Sequence, residues 1–178
     1  TTGIQFLQQP KEITILYFED HEVRRIAMNR PHPKRVTPSW YGDSVGHFEG
    51  NTLVVDTVGI KAGPYAMIDW YGTPQSPALH VIERYRLLDY ADAKEALDRD
   101  TKENFNVNQS PADPNYRGKH LQLTFTVEDP GVFKTPWSAT VTYRPQSAEW
   151  EEYICAENAE KFGTEHNPTV PAAAKPDF

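Results

Sequence analysis

This chain of 178 residues has one cysteine, two methionines and no long run of apolar residues. A single cysteine, Cys155, excludes an internal disulfide and any site built from several thiolates. No apolar stretch approaches the roughly 20 residues that a membrane-spanning helix needs. The sequence therefore predicts neither a disulfide scaffold nor a helical membrane protein.

Positive charge is also scarce, because 18 lysines and arginines face 25 aspartates and glutamates, for a net charge of -7. A nucleic-acid backbone is bound by a basic patch or stripe, and no run of lysine or arginine forms one here. We therefore expect no nucleic-acid partner. The length allows one sizeable core and is short for two ordinary domains, and it leaves the oligomeric state open.

Strand patterns dominate what is present. Valine, isoleucine, threonine and aromatic residues recur with period two between Gly, Pro, Asn and Asp. The expected strands cover residues 12–18, 22–28, 44–49, 52–58, 79–88, 120–128, 138–144 and 150–155. Many short strands without alternating helices predict an all-β fold, an antiparallel β-barrel or a strongly curved sheet of lipocalin-like general shape.

One short helix is expected, with Asp92 as its N-cap and residues 93–104 as its body. With the loop that follows, it forms an insertion at about residues 90–119. We expect a single β domain over residues 1–166. Residues 167–178 form a tail rich in proline and alanine, with little to bury.

The Gly-Asp-Ser block at residues 42–44 resembles part of a serine hydrolase, but its context argues against that activity. Ser44 precedes a strand, and no aspartate is followed three positions later by histidine. A catalytic triad needs a base within hydrogen-bond reach of the nucleophile. We therefore expect Asp43 and Ser44 to bond to local turn backbone.

The Gly50-Asn51 dipeptide suits a tight two-residue turn between the third and fourth expected strands. In that register His47 and Asp56 lie on one face as diagonal cross-strand neighbours. An aspartate that fixes the tautomer of a histidine gives that ring the properties of a general base. His47 and Asp56 are therefore predicted catalytic residues.

Two charged residues fall on apolar faces of expected strands, namely Arg24 and Glu83. A buried carboxylate must be paired, protonated or functional. In one interpretation Arg24, or another arginine, neutralises Glu83 as an internal ion pair, joined by a hydroxyl of Tyr17 or Tyr85. In the other, Glu83 is a second catalytic acid or base, and Arg24 or Tyr17 polarises a substrate oxygen.

Aromatic residues are plentiful, with four tryptophans and nine tyrosines. They supply flat surfaces for an aromatic or lipophilic ligand, and residues 66–72 form an aromatic loop suited to a pocket rim. The predicted substrate-binding residues are Tyr17, Arg24, Trp40, Trp70, Tyr85 and Trp137.

A metal site is an alternative, because His47 and Glu49 put two ligand types on one strand face, as a cupin hairpin does. His80, His120 or Asp56 would complete the ligand set. The cupin pattern has a second histidine where this chain has Glu49. We therefore predict no metal or cofactor and keep a cupin-like metal-dependent enzyme as an alternative.

Four segments together resemble a family of uncharacterised bacterial proteins, over roughly positions 4–158 and in the same order. They read "WYGDSVGHFEGNTLVVDTVG", "LHVIERYR", "VEDPGVFKTPWSATVTYR" and "EYICAEN". The family has Trp and Asp where this chain has Phe48 and Asn51, and residues 61–77 and 90–119 are enlarged here. Family members usually carry an export signal. The resemblance therefore implies a periplasmic or secreted protein whose leader is absent from this chain.

These observations predict an exported protein whose β-barrel pocket binds a small aromatic or lipophilic organic molecule. Two classes of function stay open. One is a cofactor-free lyase, hydratase or isomerase that uses His47, Asp56 and Glu83. The other is a binding protein that uses the same cavity without chemistry. Convergence of those three side chains on one cavity would favour the enzyme.

Overall fold

The computed structural model describes residues 3–17, 22–69, 71–103 and 115–145, which belong to one compact unit, Thr1–Ala148. Several predicted features lie outside the described residues: the turn at residues 20–21, Trp70, most of the loop 105–118, the strand 150–155 with Cys155, and the tail 167–178. The domain boundary at residue 166 therefore stays a prediction.

Eight strands form one sheet in chain order, curled into a half-barrel. The strands are β1 (Ile4–Gln8), β2 (Glu12–Tyr17), β3 (Val23–Met28), β4 (Asp43–Glu49), β5 (Thr52–Val58), β6 (His80–Leu88), β7 (His120–Glu128) and β8 (Trp137–Tyr143), and helix α1 (Tyr90–Glu103) connects β6 to β7. The predicted all-β curved sheet with one inserted helix is confirmed. Within the described part of the chain, no helix is long and apolar enough to cross a membrane.

Two local expectations are corrected. The sequence pattern missed β1, whose five residues include two glutamines and which pairs antiparallel with β2. Helix α1 begins before Asp92, which lies in its first turn instead of capping it. The backbone carbonyl of Asp89 accepts hydrogen bonds from the amides of Asp92 and Ala93, so the chain turns into the helix at Asp89.

One strand pair departs from the expected antiparallel order. β3 and β4 are parallel, with Ile26 opposite Ser44 and Met28 opposite Gly46. A parallel pair needs a connection long enough to return the chain to the same end of the sheet, and residues 29–42 provide it. This parallel seam spans three residue pairs, fewer than any antiparallel pair in the sheet.

The β4–β5 hairpin has the register predicted from its turn. Phe48 faces Leu53 and His47 faces Val54 across the two strands. Gly50 has a φ of 58°, whereas Asn51 is not in the left-handed region. Positive φ at the first turn residue alone is the pattern of a type II′ turn, which favours glycine there.

The hydrophobic core lies on the concave face of the curled sheet. Its buried members are Ile13, Ile15, Ile26, Met28, Leu53, Val55, Tyr85 and Leu123. Phe6 of β1 packs edge-on against Tyr85 of β6, with ring centroids 5.2 Å apart. In a flat sheet these strands would lie about 24 Å apart, at about 4.8 Å per strand. The sheet therefore curls until its first strand lies over its sixth.

We predict that Gly46→Ala destabilises the fold at the parallel seam. A Cβ atom at Gly46 would lie 2.8 Å from Cγ2 of Ile26, a fully buried side chain. Overpacking of this kind costs about 1–3 kcal/mol of unfolding free energy. Gly63→Ala is the control, because a Cβ atom there meets nothing within 4 Å. Urea unfolding of both variants tests the prediction, and equal midpoints would contradict it.

Candidate functional site

A buried ion pair lies at the centre of the concave face. Nη1 of Arg24 donates to Oε1 of Glu83 at 2.9 Å, and Nη2 donates to Oε2 at 2.5 Å. The two side chains are only 11% and 9% exposed. This is the bidentate arrangement that an arginine fork and a carboxylate favour. The interpretation of Arg24 and Glu83 as an internal ion pair therefore matches the geometry.

Hydroxyl groups complete the shell around this pair. The Arg24 guanidinium donates to the Ser44 hydroxyl at 3.1 and 3.2 Å and to the Thr57 hydroxyl at 2.7 Å. The Tyr85 hydroxyl donates to Oε1 of Glu83 at 2.8 Å. These partners come from β4, β5 and β6, whereas Arg24 is on β3. One arginine side chain thus spans the parallel seam and ties four strands together.

The surroundings keep Arg24 charged and the nearby tyrosine hydroxyls neutral. Burial opposes the charge of Arg24, but its bonds to the Glu83 carboxylate outweigh burial and raise its pKa. Burial raises the pKa of Tyr17 and of Tyr85, and it raises the pKa of Tyr143 to about 12. The three tyrosine hydroxyls therefore stay protonated at neutral pH and act as neutral hydrogen-bond donors.

The strand residues of the concave face carry no net charge. Strand registers place alternate residues on this face. Among the strand residues that the structure describes, Arg24 and Glu83 are the only charged ones on it. Their charges compensate each other across the salt bridge. The described strands therefore give this face one polar cluster whose charges cancel.

A rim of half-buried side chains surrounds the buried core on this face. It consists of Ile4, Phe6, Tyr17, Leu121, Phe125 and Tyr143. Trp137 continues it, with its ring 5.8 Å from that of Phe125 in an edge-on contact. Nε1 of Trp137 is the one buried side-chain nitrogen or oxygen in the described chain that has no hydrogen-bond partner. We call these seven residues the aromatic rim.

A second polar cluster lies on the convex face, at the edge where β5 and β7 end and β4 and β6 begin. Oδ1 of Asp56 lies 3.0 Å from Nε2 of His32 and 3.0 Å from Nε2 of His80. Nδ1 of His32 lies 2.7 Å from Oδ1 of Asp43, and Nδ1 of His80 lies 3.2 Å from Oε2 of Glu128. We call these five residues the histidine–carboxylate array.

The array carries its own electrostatic bias. Partial burial lowers the pKa of His32, but its hydrogen bonds to Asp43 and Asp56 and the charges of those carboxylates outweigh burial and raise it overall. Nη2 of Arg30 donates to Oδ2 of Asp43 at 3.1 Å and adds a positive charge at this end. His32 therefore keeps its positive charge at a higher pH than an ordinary histidine does, because its pKa is raised.

The three predicted catalytic residues do not converge. Glu83 is on the concave face, whereas His47 and Asp56 are on the convex face. His47 is half-exposed and contacts Glu49 at 3.3 Å, while Asp56 contacts His32 and His80. The expected contact between His47 and Asp56 is thus not formed. Asp56 lies nearer the sheet edge, where its carboxylate contacts the imidazoles of His32 and His80 instead.

The alternative metal ligand set is not assembled either. His47 contacts Glu49 nearer the turn of the hairpin, whereas Asp56 contacts His80 nearer the sheet edge, so the two pairs are separate. His120 is buried beside the rings of Tyr90 and Tyr116. Among the described residues, no group of three or more His, Cys, Asp or Glu side chains is arranged to hold a metal ion.

The predicted substrate-binding residues that the structure describes lie partly on the concave face and partly elsewhere. Tyr17, Arg24, Tyr85 and Trp137 are on the concave face. Trp40 is 69% exposed on the β3–β4 connection, with the Lys61 ammonium 4.9 Å from its ring centroid. The structure therefore brings four of the predicted residues onto one surface and leaves Trp40 elsewhere.

The residues of the Gly-Asp-Ser block have different partners from those expected. Ser44 is buried and bonds to Arg24 and Thr57, while Asp43 bonds to Arg30 and His32. Neither side chain bonds to turn backbone as predicted. Alternation explains the difference, because consecutive residues of β4 face opposite sides of the sheet. Ser44 thus belongs to the concave cluster and Asp43 to the array.

The loop at residues 66–72 is a surface feature, with Tyr71 almost fully exposed and Met67 more than half exposed. Its turn is held by Asp69, whose carboxylate accepts from the backbone amides of Tyr71 and Thr73.

Another carboxylate, that of the buried Asp129, accepts hydrogen bonds from the amide and hydroxyl of Ser76. This contact fixes the β5–β6 connection to the end of β7.

His32 is the functional candidate that the sequence pattern missed. It lies in the β3–β4 connection, where no periodicity assigns a face to any side chain. For His80 the strand pattern did carry a signal, because pairing of β6 with β7 places Glu128 directly opposite it and so predicts a histidine–carboxylate contact.

Comparisons with family models, with curated proteins and with solved structures found no match for this chain.

Glu83→Gln tests the buried pair, because it leaves the Arg24 guanidinium buried without a compensating charge. We expect a loss of about 3–5 kcal/mol of unfolding free energy, and substantial recovery in the double variant Arg24→Met/Glu83→Leu. Urea unfolding is the measurement. Glu49→Gln is the matched control, since it removes the exposed partner of Arg84 and should leave the midpoint unchanged. Equal losses from both single variants would refute the assignment.

Proposed function

We propose that the protein binds a small, uncharged aromatic or lipophilic molecule against the concave face of the half-barrel. The observation that carries this proposal is the aromatic rim around a face without net charge. Ligand sites are typically apolar surfaces with a few well-placed polar groups. The rim and the hydroxyls near it have that composition.

Charge determines the class of ligand. An ionised molecule would lose its hydration on this face and would find Arg24 and Glu83 already paired. A neutral planar molecule loses little hydration and gains contacts with rings such as those of Tyr143 and Phe125. The proposed ligand is therefore neutral.

Hydrogen bonding favours a ligand with at least one oxygen acceptor. The hydroxyls of Tyr17 and Tyr143 stay protonated, since burial raises both pKa values. They can donate to a carbonyl, ether or hydroxyl oxygen on the ligand. This class is narrower than the aromatic or lipophilic molecule expected from composition alone.

Binding is favoured over acid–base chemistry at Glu83. Both of its carboxylate oxygens accept hydrogen bonds from Arg24, and Oε1 also accepts from Tyr85. These three hydrogen bonds occupy most of the roughly four lone-pair sites of the carboxylate, which leaves little capacity to accept a substrate proton. We therefore propose a binding protein over a lyase, hydratase or isomerase. Export to the periplasm or medium is part of this proposal and rests on the family resemblance.

Two fluorescent probes of similar size test the ligand class. We expect the neutral N-phenyl-1-naphthylamine to bind more tightly than the anionic 1-anilinonaphthalene-8-sulfonate. Phe125→Asp, which puts a charge on the rim, should weaken binding of the neutral probe by at least about tenfold. Thr126→Asp is the control, because the next residue of β7 faces the convex side.

Native mass spectrometry of protein purified from its own host complements the probes by looking for a retained ligand. An uncharged aromatic mass adduct would support the proposal. Equal affinity for the two probes, or unchanged binding in a folded Phe125→Asp variant, would rule it out.

A further inference from the structure

The histidine–carboxylate array contains more acceptors than neutral histidines can satisfy. Each of its two imidazole rings has a carboxylate oxygen within hydrogen-bond distance of both nitrogens. A neutral imidazole has one N–H donor and one lone pair. A neutral ring here would therefore point a lone pair at a carboxylate oxygen that has no proton to share.

Protonation of the His32 ring removes this conflict there. An imidazolium donates from both nitrogens, so His32 then donates to Asp43 and Asp56. The His32 imidazolium and the Arg30 guanidinium then balance the two carboxylates that they contact. Loss of the His32 proton leaves an excess of one negative charge among these four groups.

The array also attaches the connection between β3 and β4 to the sheet. Residues 29–42 carry His32, and their backbone contacts include the Asn29 amide to the Gly46 carbonyl at the start. Near the far end the Ser39 amide donates to the Gly59 carbonyl, and the Lys61 amide donates to the Ser39 carbonyl. Between these points Arg30 and His32 add side-chain contacts to β4 and β5. Release of His32 would remove two of these three side-chain contacts.

We propose that the array is a proton-operated clasp, which holds residues 29–42 on the sheet edge when His32 is protonated and loosens them when that proton leaves. The groups facing His32 are Asp43 on β4 and Asp56 on β5, and those facing His80 are Asp56 and Glu128 on β7. This regulatory role is independent of the proposed ligand.

The direction of the effect follows from proton linkage. His32 has a raised pKa in the folded protein, so its contribution is fully present below its ordinary value of 6.5. That contribution is lost as the pH rises through the folded-state pKa. The clasp is therefore closed in mildly acidic solution and opens on the alkaline side.

Amide hydrogen exchange between pH 5.5 and pH 8.5 measures the clasp in the intact protein. We expect protection factors of the Ser39 and Lys61 amides to fall several-fold at the higher pH. The Ser76 amide is the internal reference, because it donates to Asp129, a carboxylate whose pKa is lowered and which stays charged throughout. Equal behaviour of all three amides would refute the proposal.

Two further measurements keep the result independent of any folding defect. Nitrogen-15 chemical shifts of the His32 ring in the unmodified protein should show both nitrogens protonated at pH 5.5, and a neutral ring there would overturn the clasp. His32→Gln should abolish the pH dependence at Ser39, whereas the control His47→Gln, a histidine on the same face that contacts Glu49 and no member of the array, should retain it. Persistence of the pH dependence in His32→Gln would also overturn it.

Discussion

The ion pair between Arg24 and Glu83 is the interaction on which the rest of the half-barrel depends. Arg24 is on β3 and Glu83 is on β6, three strand positions apart, which corresponds to about 14 Å in a flat sheet. The fork geometry can form only if the sheet curls towards its apolar face. The pair thus couples charge burial to curvature, and its guanidinium also bridges the short parallel seam through Ser44.

Strand alternation separates two polar systems that share a hairpin. Ser44 and Thr57 point into the concave face and bond to Arg24, whereas their neighbours Asp43 and Asp56 point to the convex face and bond to His32. The concave system is neutral and buried. The convex system is solvent-accessible and depends on bound protons. A one-residue slip of β4 against β5 would move the side chains of each set to the opposite face of the sheet. The turn at Gly50, which fixes the register of the hairpin, therefore keeps both polar systems in place.

Local patterns in the sequence predicted much of this arrangement. Alternation placed Arg24 and Glu83 on apolar faces, and the Gly50-Asn51 turn fixed the β4–β5 register. The same patterns could not predict the parallel seam or the position of His32. Both depend on the path of residues 29–42, where proline and polar residues give no period. The hairpin register predicted His47 as the partner of Asp56, whereas its partners His32 and His80 come from outside the hairpin.

The array also bears on whether this edge of the sheet could carry out acid–base chemistry. A histidine acting as general base needs one nitrogen held by an orienting group and the other free to face the substrate. His32 and His80 have both nitrogens engaged by carboxylates. Holding the segment and taking a substrate proton would therefore compete for the same atoms. His32 uses both nitrogens to hold the segment, and His80 uses both to join β6 to β5 and β7. This agrees with the proposed ligand site on the opposite face of the sheet.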